Sequence, residues 1–273
     1  MVGFSGVSLG GNTEKVSNHS RKVRKPIIEV KNVDKSFMVG KGKVDVLKDI
    51  NLEIYAGEFV IIFGPSGCGK STLLNTLVGL EKPTKGRVMV RGTDFYNLDQ
   101  DERSEFRRRK FGIVHQQSNW IKSLTVIENV AFPLAIAGQP YRRSLERAAK
   151  LLTLFRLDDF SKNAPAELSG GQQQRVSVVR ALVSNPWIVV ADEPTGNLDT
   201  TSAADLMYVF QFLNNESKRT IIMVTHNPDY EKYATRVIKM EDGKIQKIEV
   251  RKQVDVDEGN READIIPGEG GQI

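Results

Sequence analysis

The chain has 273 residues, 40% hydrophobic and 27% charged, with a formal net charge of +5, an ordinary globular composition with room for one large domain or two small ones. Its longest apolar runs, such as "FVIIF" and "WIVVA", fall far short of the roughly 20 residues that span a bilayer. No apolar stretch of signal-peptide length stands near its start, so neither a membrane span nor export is expected.

The single cysteine, Cys68, excludes an internal disulfide framework and suits a reducing cytoplasm. Residues 1–26 carry Lys15, Arg21, Lys22, Arg24 and Lys25 against Glu14, giving +4, and read as a disordered basic tail. Residues 249–273 carry three basic and seven acidic residues, giving −4, and read as a disordered acidic tail. The body between them keeps the modest surplus of +5, which fits a solvated surface with phosphate sites better than a nucleic-acid face.

From residue 27 to 248 strand and helix signals alternate. "IIEVKNVDKSF" and "INLEIYAGEFVIIFG" read as strands, "STLLNTLVGL" as a helix and "KFGIVHQ" as another short strand. "YRRSLERAAKLLTLFRL" and "TTSAADLMYVFQFLNNE" have helical spacing. "WIVVADE" and "TIIMVTH" are nearly all-apolar runs with polar ends, which suits parallel strands covered on both faces and an α/β layered fold. The basic "RSEFRRRKFG" is interrupted by Glu105 and preceded by Glu102, so it reads as a solvated helix face, exposed near lipid headgroups or a partner.

"GPSGCGKS", residues 64–71, sits between an apolar strand and a helix and fits G-x-x-x-x-G-K-[ST]. Its glycines let backbone N–H groups wrap an anion, and the helix N-terminus adds positive potential. Gly64, Pro65, Ser66, Gly67, Cys68, Gly69, Lys70, Ser71 and Thr72 are therefore candidate nucleotide-binding residues. Lys70 is expected to reach the β- and γ-phosphates, and the Ser71 hydroxyl to hold Mg²⁺. Cys68 reads as a small side chain that fits the loop.

"WIVVADEP" ends a buried strand on two adjacent acids. Successive strand side chains point opposite ways, so Asp192 is assigned to the metal and Glu193 to polarising an attacking water. His226 closes "MVTH" at the end of a central strand, where its imidazole reaches either the γ-phosphate or Glu193, whereas His19 lies in the basic tail. "LSGGQQQRV" looks like linker but opens an apolar helical run. Ser169 is a good N-cap, and Gly170 and Gly171 leave N–H groups for an anion, with Gln172 adding a side chain. Taken alone, it reads as a capped helix start rather than as a phosphate contact.

Together "GPSGCGKS", "LSGGQ", "VVADEP" and "VTH" resemble the nucleotide-binding subunits of ABC (ATP-binding cassette) transporters over about residues 27–248. The resemblance implies a P-loop NTPase fold with a mixed β-sheet core, an antiparallel β subdomain and an α-helical subdomain at about 117–180. It implies an ATPase that uses ATP and Mg²⁺, peripheral on the cytoplasmic face of the membrane. Phe37 would stack on adenine, in place of the commoner tyrosine. Gln116 would reach Mg²⁺ and the water, Asp199 would cross a homodimer interface, and His226 would be the switch histidine. Lys70, Gln116, Glu193 and His226 would thus carry hydrolysis. Ser169, Gly170, Gly171 and Gln172 would meet ATP held by the other protomer. His115 stands where an aromatic is common.

"ADEPTGNLDT", "LTVIENVAFPL" and "YATRVIKMEDGKI" look like the lipoprotein-release and macrolide-export group, whose cell-division relative shares the pattern. Those ATPases partner a permease with four transmembrane helices and transmit force to it. Trp120, Ile121 and Lys122, the last replacing a usual proline, fall where the family docks a coupling helix, so the change reads either as altered partner specificity or as mere surface drift. A single cassette, and only about a hundred residues between phosphate loop and signature, argue against the translation and DNA-repair classes, and no nucleic-acid partner is expected. A scaffold that binds ATP with little turnover is disfavoured by the intact Glu193 and His226.

Overall fold

The computed structural model describes residues 25–117 and 119–251. In chain order its main elements are β1 (Ile28–Val39), β2 (Gly42–Ile54), β3 (Phe59–Phe63), α1 (Lys70–Leu77), β4 (Lys85–Val90), β5 (Thr93–Asp94), α2 (Gln100–Lys110) and β6 (Phe111–Val114). Then follow α3 (Val126–Ala135), α4 (Tyr141–Leu154), α5 (Gly170–Leu182), β7 (Ile188–Asp192), α6 (Thr200–Asn215), β8 (Thr220–Thr225), β9 (Arg236–Glu241) and β10 (Lys244–Val250).

Six strands make one sheet in the order β10-β9-β3-β8-β7-β6, parallel throughout except for β10. Four others make an antiparallel sheet in the order β2-β1-β4-β5. Strand alternation explains why the central runs are apolar at every position. In β3, Phe59 and Ile61 enter a core shared with α3–α6, while Val60 and Ile62 enter a second core shared with α1 and the antiparallel sheet. Val189 and Ala191 of β7, and Ile221 and Met223 of β8, join the first core; Ile188, Val190, Ile222 and Val224 join the second. A sheet covered on both faces keeps polar residues to the ends of these strands, at Thr220, Thr225 and Asp192, and each large apolar side chain buried there contributes about 1.5–3 kcal/mol.

Between β6 and β7 the described residues form helices and no strand, with α3 packed on α4 and α5. Most of the basic run falls in α2, where Glu105 pairs with Arg108 and Arg109, but it is less solvated than expected: only Arg109 is exposed, Phe106 packs on the second core and Arg107 donates to the Gly79 carbonyl at 3.1 Å. The two tails lie outside the described residues apart from their inner ends. There the boundary differs from expectation: β10 continues through Glu249 to Val250, and the Arg251 amide donates to the Thr235 carbonyl at 2.8 Å. Glu249 and Arg251 also pair with each other, so the acidic run begins inside the sheet edge rather than after it. No helix among the described residues is long and apolar enough to cross a membrane.

Because β3, β6, β7 and β8 are mutually parallel, their carboxyl ends open on one edge of the sheet. Ligands gather at such edges in open α/β sheets. The loops that leave them carry the phosphate-loop sequence, Gln116, Glu193 and His226.

Candidate functional site

The phosphate loop leaves β3 and enters α1 through Gly69, whose φ of 101° belongs to the left-handed region. A side chain there would also stand 2.8 Å from the Val46 carbonyl, so only glycine lets the loop turn into its helix. Lys70, 7% exposed, donates to the carbonyls of Gly64 and Pro65, both at 2.8 Å. Its ammonium is thus folded onto its own loop, over the space an anion would fill. Cys68 is buried, its amide bonded to the Pro65 carbonyl and its carbonyl to the Gly243 amide, as a filling side chain should be. Pro65, Ser66 and Gly67 are exposed, and Thr72 sits half-buried on α1.

One residue further on, the Ser71 hydroxyl donates to Asp192 Oδ1 at 2.9 Å, joining α1 to the end of β7. Partial burial pushes the Asp192 carboxyl above its ordinary range; the Glu193 charge adds to this, against the Ser71 hydrogen bond and the more distant charges of His115 and Lys70. A carboxylate left short of positive charge beside a hydroxyl oxygen suits a hard divalent cation, and Mg²⁺ typically takes one or two protein oxygens and completes its shell with phosphates and water.

Glu193 is where strand reasoning needs correction. β7 ends at Asp192, and Glu193 adopts φ 45°, its amide bonded to the Val224 carbonyl at 3.0 Å. The two acids do diverge, but through a left-handed residue rather than through the pleat. Glu193 Oε2 lies 2.9 Å from His226 Nδ1, an imidazole set at the exit of β8. Since a carboxylate only accepts, Nδ1 carries the proton in this pair. Gln116, at the exit of β6, lies beside the same loop: a Cβ on Gly196 would stand 2.9 Å from its Nε2. A cleft of about 430 Å³ opens alongside, between residues 193–204 and 225–233.

The structure therefore gathers Lys70, Ser71, Asp192, Glu193, His226 and Gln116 along one sheet edge. Phe37 lies on the β1–β2 hairpin opposite Val44, two residues from the Val46 that touches the phosphate loop, with the Lys35 ammonium 4.6 Å from its ring centre. Ser169 and Gln172 do something else. Ser169 caps α5, its hydroxyl accepting from the Gln172 amide at 3.3 Å, while Gln172 Oε1 accepts from the Ser169 amide at 2.9 Å. The Gln172 side chain is thus occupied in a capping box. Helix position leaves the Gly170 and Gly171 amides outside the α5 ladder. Gly171 has a packing reason as well, since a Cβ would stand 2.6 Å from Ser202 Oγ on α6. Asp199 caps α6, accepting from the Ser202 amide at 2.9 Å and hydroxyl at 2.7 Å, bonds that hold its carboxyl below the usual range.

Sequence reasoning missed the second and third glutamines of "QQQ" and the partner of Trp120. The half-buried Trp120 donates its indole N–H to Gln173 Oε1 at 2.9 Å, while Lys122 is exposed. Gln174, 4% exposed, donates to the His115 carbonyl at 3.0 Å. A buried glutamine in an apolar helix is the signal that could have been read. His115 itself is held below its ordinary pKa by surrounding protein atoms and then by Arg180, with Asp192 opposing.

Comparison with known proteins agrees with this architecture. The family model for ABC transporters matches residues 47–196. An uncharacterized ABC transporter ATP-binding protein of Methanocaldococcus jannaschii is 50% identical over 224 residues, covering 81% of this chain and 99% of the relative. A macrolide export ATP-binding/permease protein, MacB of Syntrophobacter fumaroxidans, is 42% identical over 81% of this chain, which spans 31% of that longer protein. The cassette MJ0796 of M. jannaschii, solved as a dimer in a post-hydrolysis state bound to ADP and phosphate, superposes with a TM-score of 0.76 at 39% identity, covering 83% of this chain and 100% of that one. The chain belongs to the ABC transporter family: it has the fold of an ATP-binding cassette and is an ATPase of that kind.

Proposed function

We propose that the chain works as a homodimer beneath a membrane permease with four transmembrane helices, on the cytoplasmic face. Closing on two ATP–Mg²⁺ and reopening after hydrolysis would move that permease, exporting or releasing a hydrophobic or lipid-linked cargo. The observation that carries the reading is the pair of short contacts behind the phosphate loop, Ser71 to Asp192 and Glu193 to His226. The dimeric MJ0796 cassette supports the pairing of protomers, and the MacB relatives, named as ATP-binding/permease proteins, support the permease.

In this reading Phe37 stacks on the adenine, and the loop from Gly64 to Thr72 holds the phosphates. Lys70 exchanges the Gly64 and Pro65 carbonyls for the β- and γ-phosphates. Ser71 and Asp192, with Gln116, hold Mg²⁺, which when bound neutralises charge on those phosphates. Glu193 accepts a proton from the water that attacks the γ-phosphate in line, and ADP leaves with the electron pair of the broken bond. His226 keeps Glu193 aimed: a neutral imidazole that donates from Nδ1 has only an acceptor left at Nε2. Ser169 and the Gly170 and Gly171 amides meet the γ-phosphate held by the other protomer, and Asp199 crosses the same interface.

Glu193→Gln tests the assignment. The variant should bind ATP normally, elute as an ATP-dependent dimer and hydrolyse at least about 100-fold more slowly. Near wild-type turnover would remove Glu193 from its role.

A further inference from the structure

Gln116 sits in a loop whose two ends are fastened to one helix. At its entrance, the Gln174 amide donates to the His115 carbonyl at 3.0 Å. At its exit, the Trp120 indole N–H donates to Gln173 Oε1 at 2.9 Å, and the Arg180 guanidinium lies 4.4 Å from the centre of the indole ring. Both anchors belong to α5, as does the Arg180 that reaches the Asn119 carbonyl at 3.5 Å. Burial lowers the Arg180 pKa to about 10, and a largely desolvated cation gains most from an aromatic face.

The exit is also braced from α3. Asn129, 1% exposed, accepts from the Ile121 amide at 3.0 Å and donates to the carbonyls of Ile121, Leu124 and Thr125. Residues 119–125 therefore form a bracket between α5 and α3. Gln173 completes a path to the other end of the helix, because its amide donates to the carbonyl of Leu168, next to the Ser169 cap, at 3.1 Å. Three successive glutamines thus bind three different things: the cap, the loop exit and the loop entrance.

We infer that Trp120, Gln173 and Gln174 are positioning residues for ATP hydrolysis. They hold Gln116 in register with the α5 N-terminus, so that moving the bracket from outside displaces both together. The inference rests on the proposed role of Gln116.

Trp120→Phe removes the indole donor and keeps a ring over Arg180; Gln173→Leu removes the acceptor together with the side-chain donor to the Leu168 carbonyl. In the full chain with ATP and Mg²⁺, each should lower kcat about 3- to 10-fold, the scale of one lost hydrogen bond, and leave KM and the melting temperature nearly unchanged. The double variant should be no slower than Gln173→Leu, because the two share one bond. In a Gln116→Ala background Trp120→Phe should cost nothing further. If Gln116→Ala is slow and Trp120→Phe slows it again by the same factor, the positioning role falls while Gln116 keeps its own. If Gln116→Ala turns over at the wild-type rate, the role of Gln116 falls and the inference with it. A raised KM with unchanged kcat would also overturn the inference.

Discussion

Behind the phosphate loop the side chains answer one another inside the chain: Ser71 on Asp192, Glu193 on His226, Gln116 against the Glu193 loop. At the α5 N-terminus the Ser169 and Gln172 side chains cap one another's backbone, Gly170 is exposed, and half-buried Gly171 packs against Ser202. In the proposed dimer the first region is the reaction centre and the second is the lid that closes the partner protomer's centre. Two incomplete ends on one chain are what a head-to-tail pair requires, since each then completes the other.

Mixing two dead variants would break that comparison most directly. Lys70→Met and Ser169→Arg should each lose hydrolysis by about 100-fold or more. Mixed in equal amounts they should regain a clear fraction, because a mixed dimer holds one composite site with an intact Lys70 and an intact Ser169. No recovery on mixing would mean that Ser169 serves its own chain.

Next in size is His226→Ala, expected to slow turnover roughly 10- to 100-fold through misaimed Glu193, with ATP affinity and ATP-dependent dimerisation retained. Loss of ATP affinity instead would place the imidazole on the phosphate.

The smallest expected effect is on stability. The Asp192 pKa is raised in the fold, chiefly by burial. Its contribution is therefore favourable while the group is protonated, below its unfolded pKa, and is lost as pH rises through the folded value. At neutral pH the ionised carboxylate is a liability in the nucleotide-free protein. Asp192→Asn, which keeps an acceptor for Ser71, should raise the nucleotide-free melting temperature. That advantage should shrink as pH falls below the carboxylate range, and the variant should lose the stabilisation that ATP–Mg²⁺ gives the wild type. A lower nucleotide-free melting temperature would show that the charge is already compensated.

Much of this was legible because it rests on local rules. The interiors of β3, β7 and β8 are apolar without alternation, polar residues standing only at strand ends, and burial on both faces explains that. The phosphate loop announces itself by glycine spacing between a strand and a helix. Glu193 shows where local rules stop: its left-handed turn is imposed by pairing with Val224, thirty-one residues away in the chain, and no alternation pattern contains it. Trp120 shows a second limit. Its exposure depends on whether Gln173 and Arg180, more than fifty residues on, face it. A tryptophan after a predicted loop reads equally as a contact surface or as an inward anchor. The last residues of β10 were lost to composition, since an acidic, polar segment on a sheet edge looks like tail until its partner strand is known.

The Glu193–His226 pair hangs on neighbouring strands whose register is fixed by Asp192 facing Val224. Its spacing therefore has the stiffness of a sheet rather than of a loop. Load arriving from a membrane partner would spend itself in the helices between β6 and β7 before it could stretch this distance. In the proposed dimer the timing of hydrolysis would then be set by when the two protomers meet rather than by any change in the distance between Glu193 and His226.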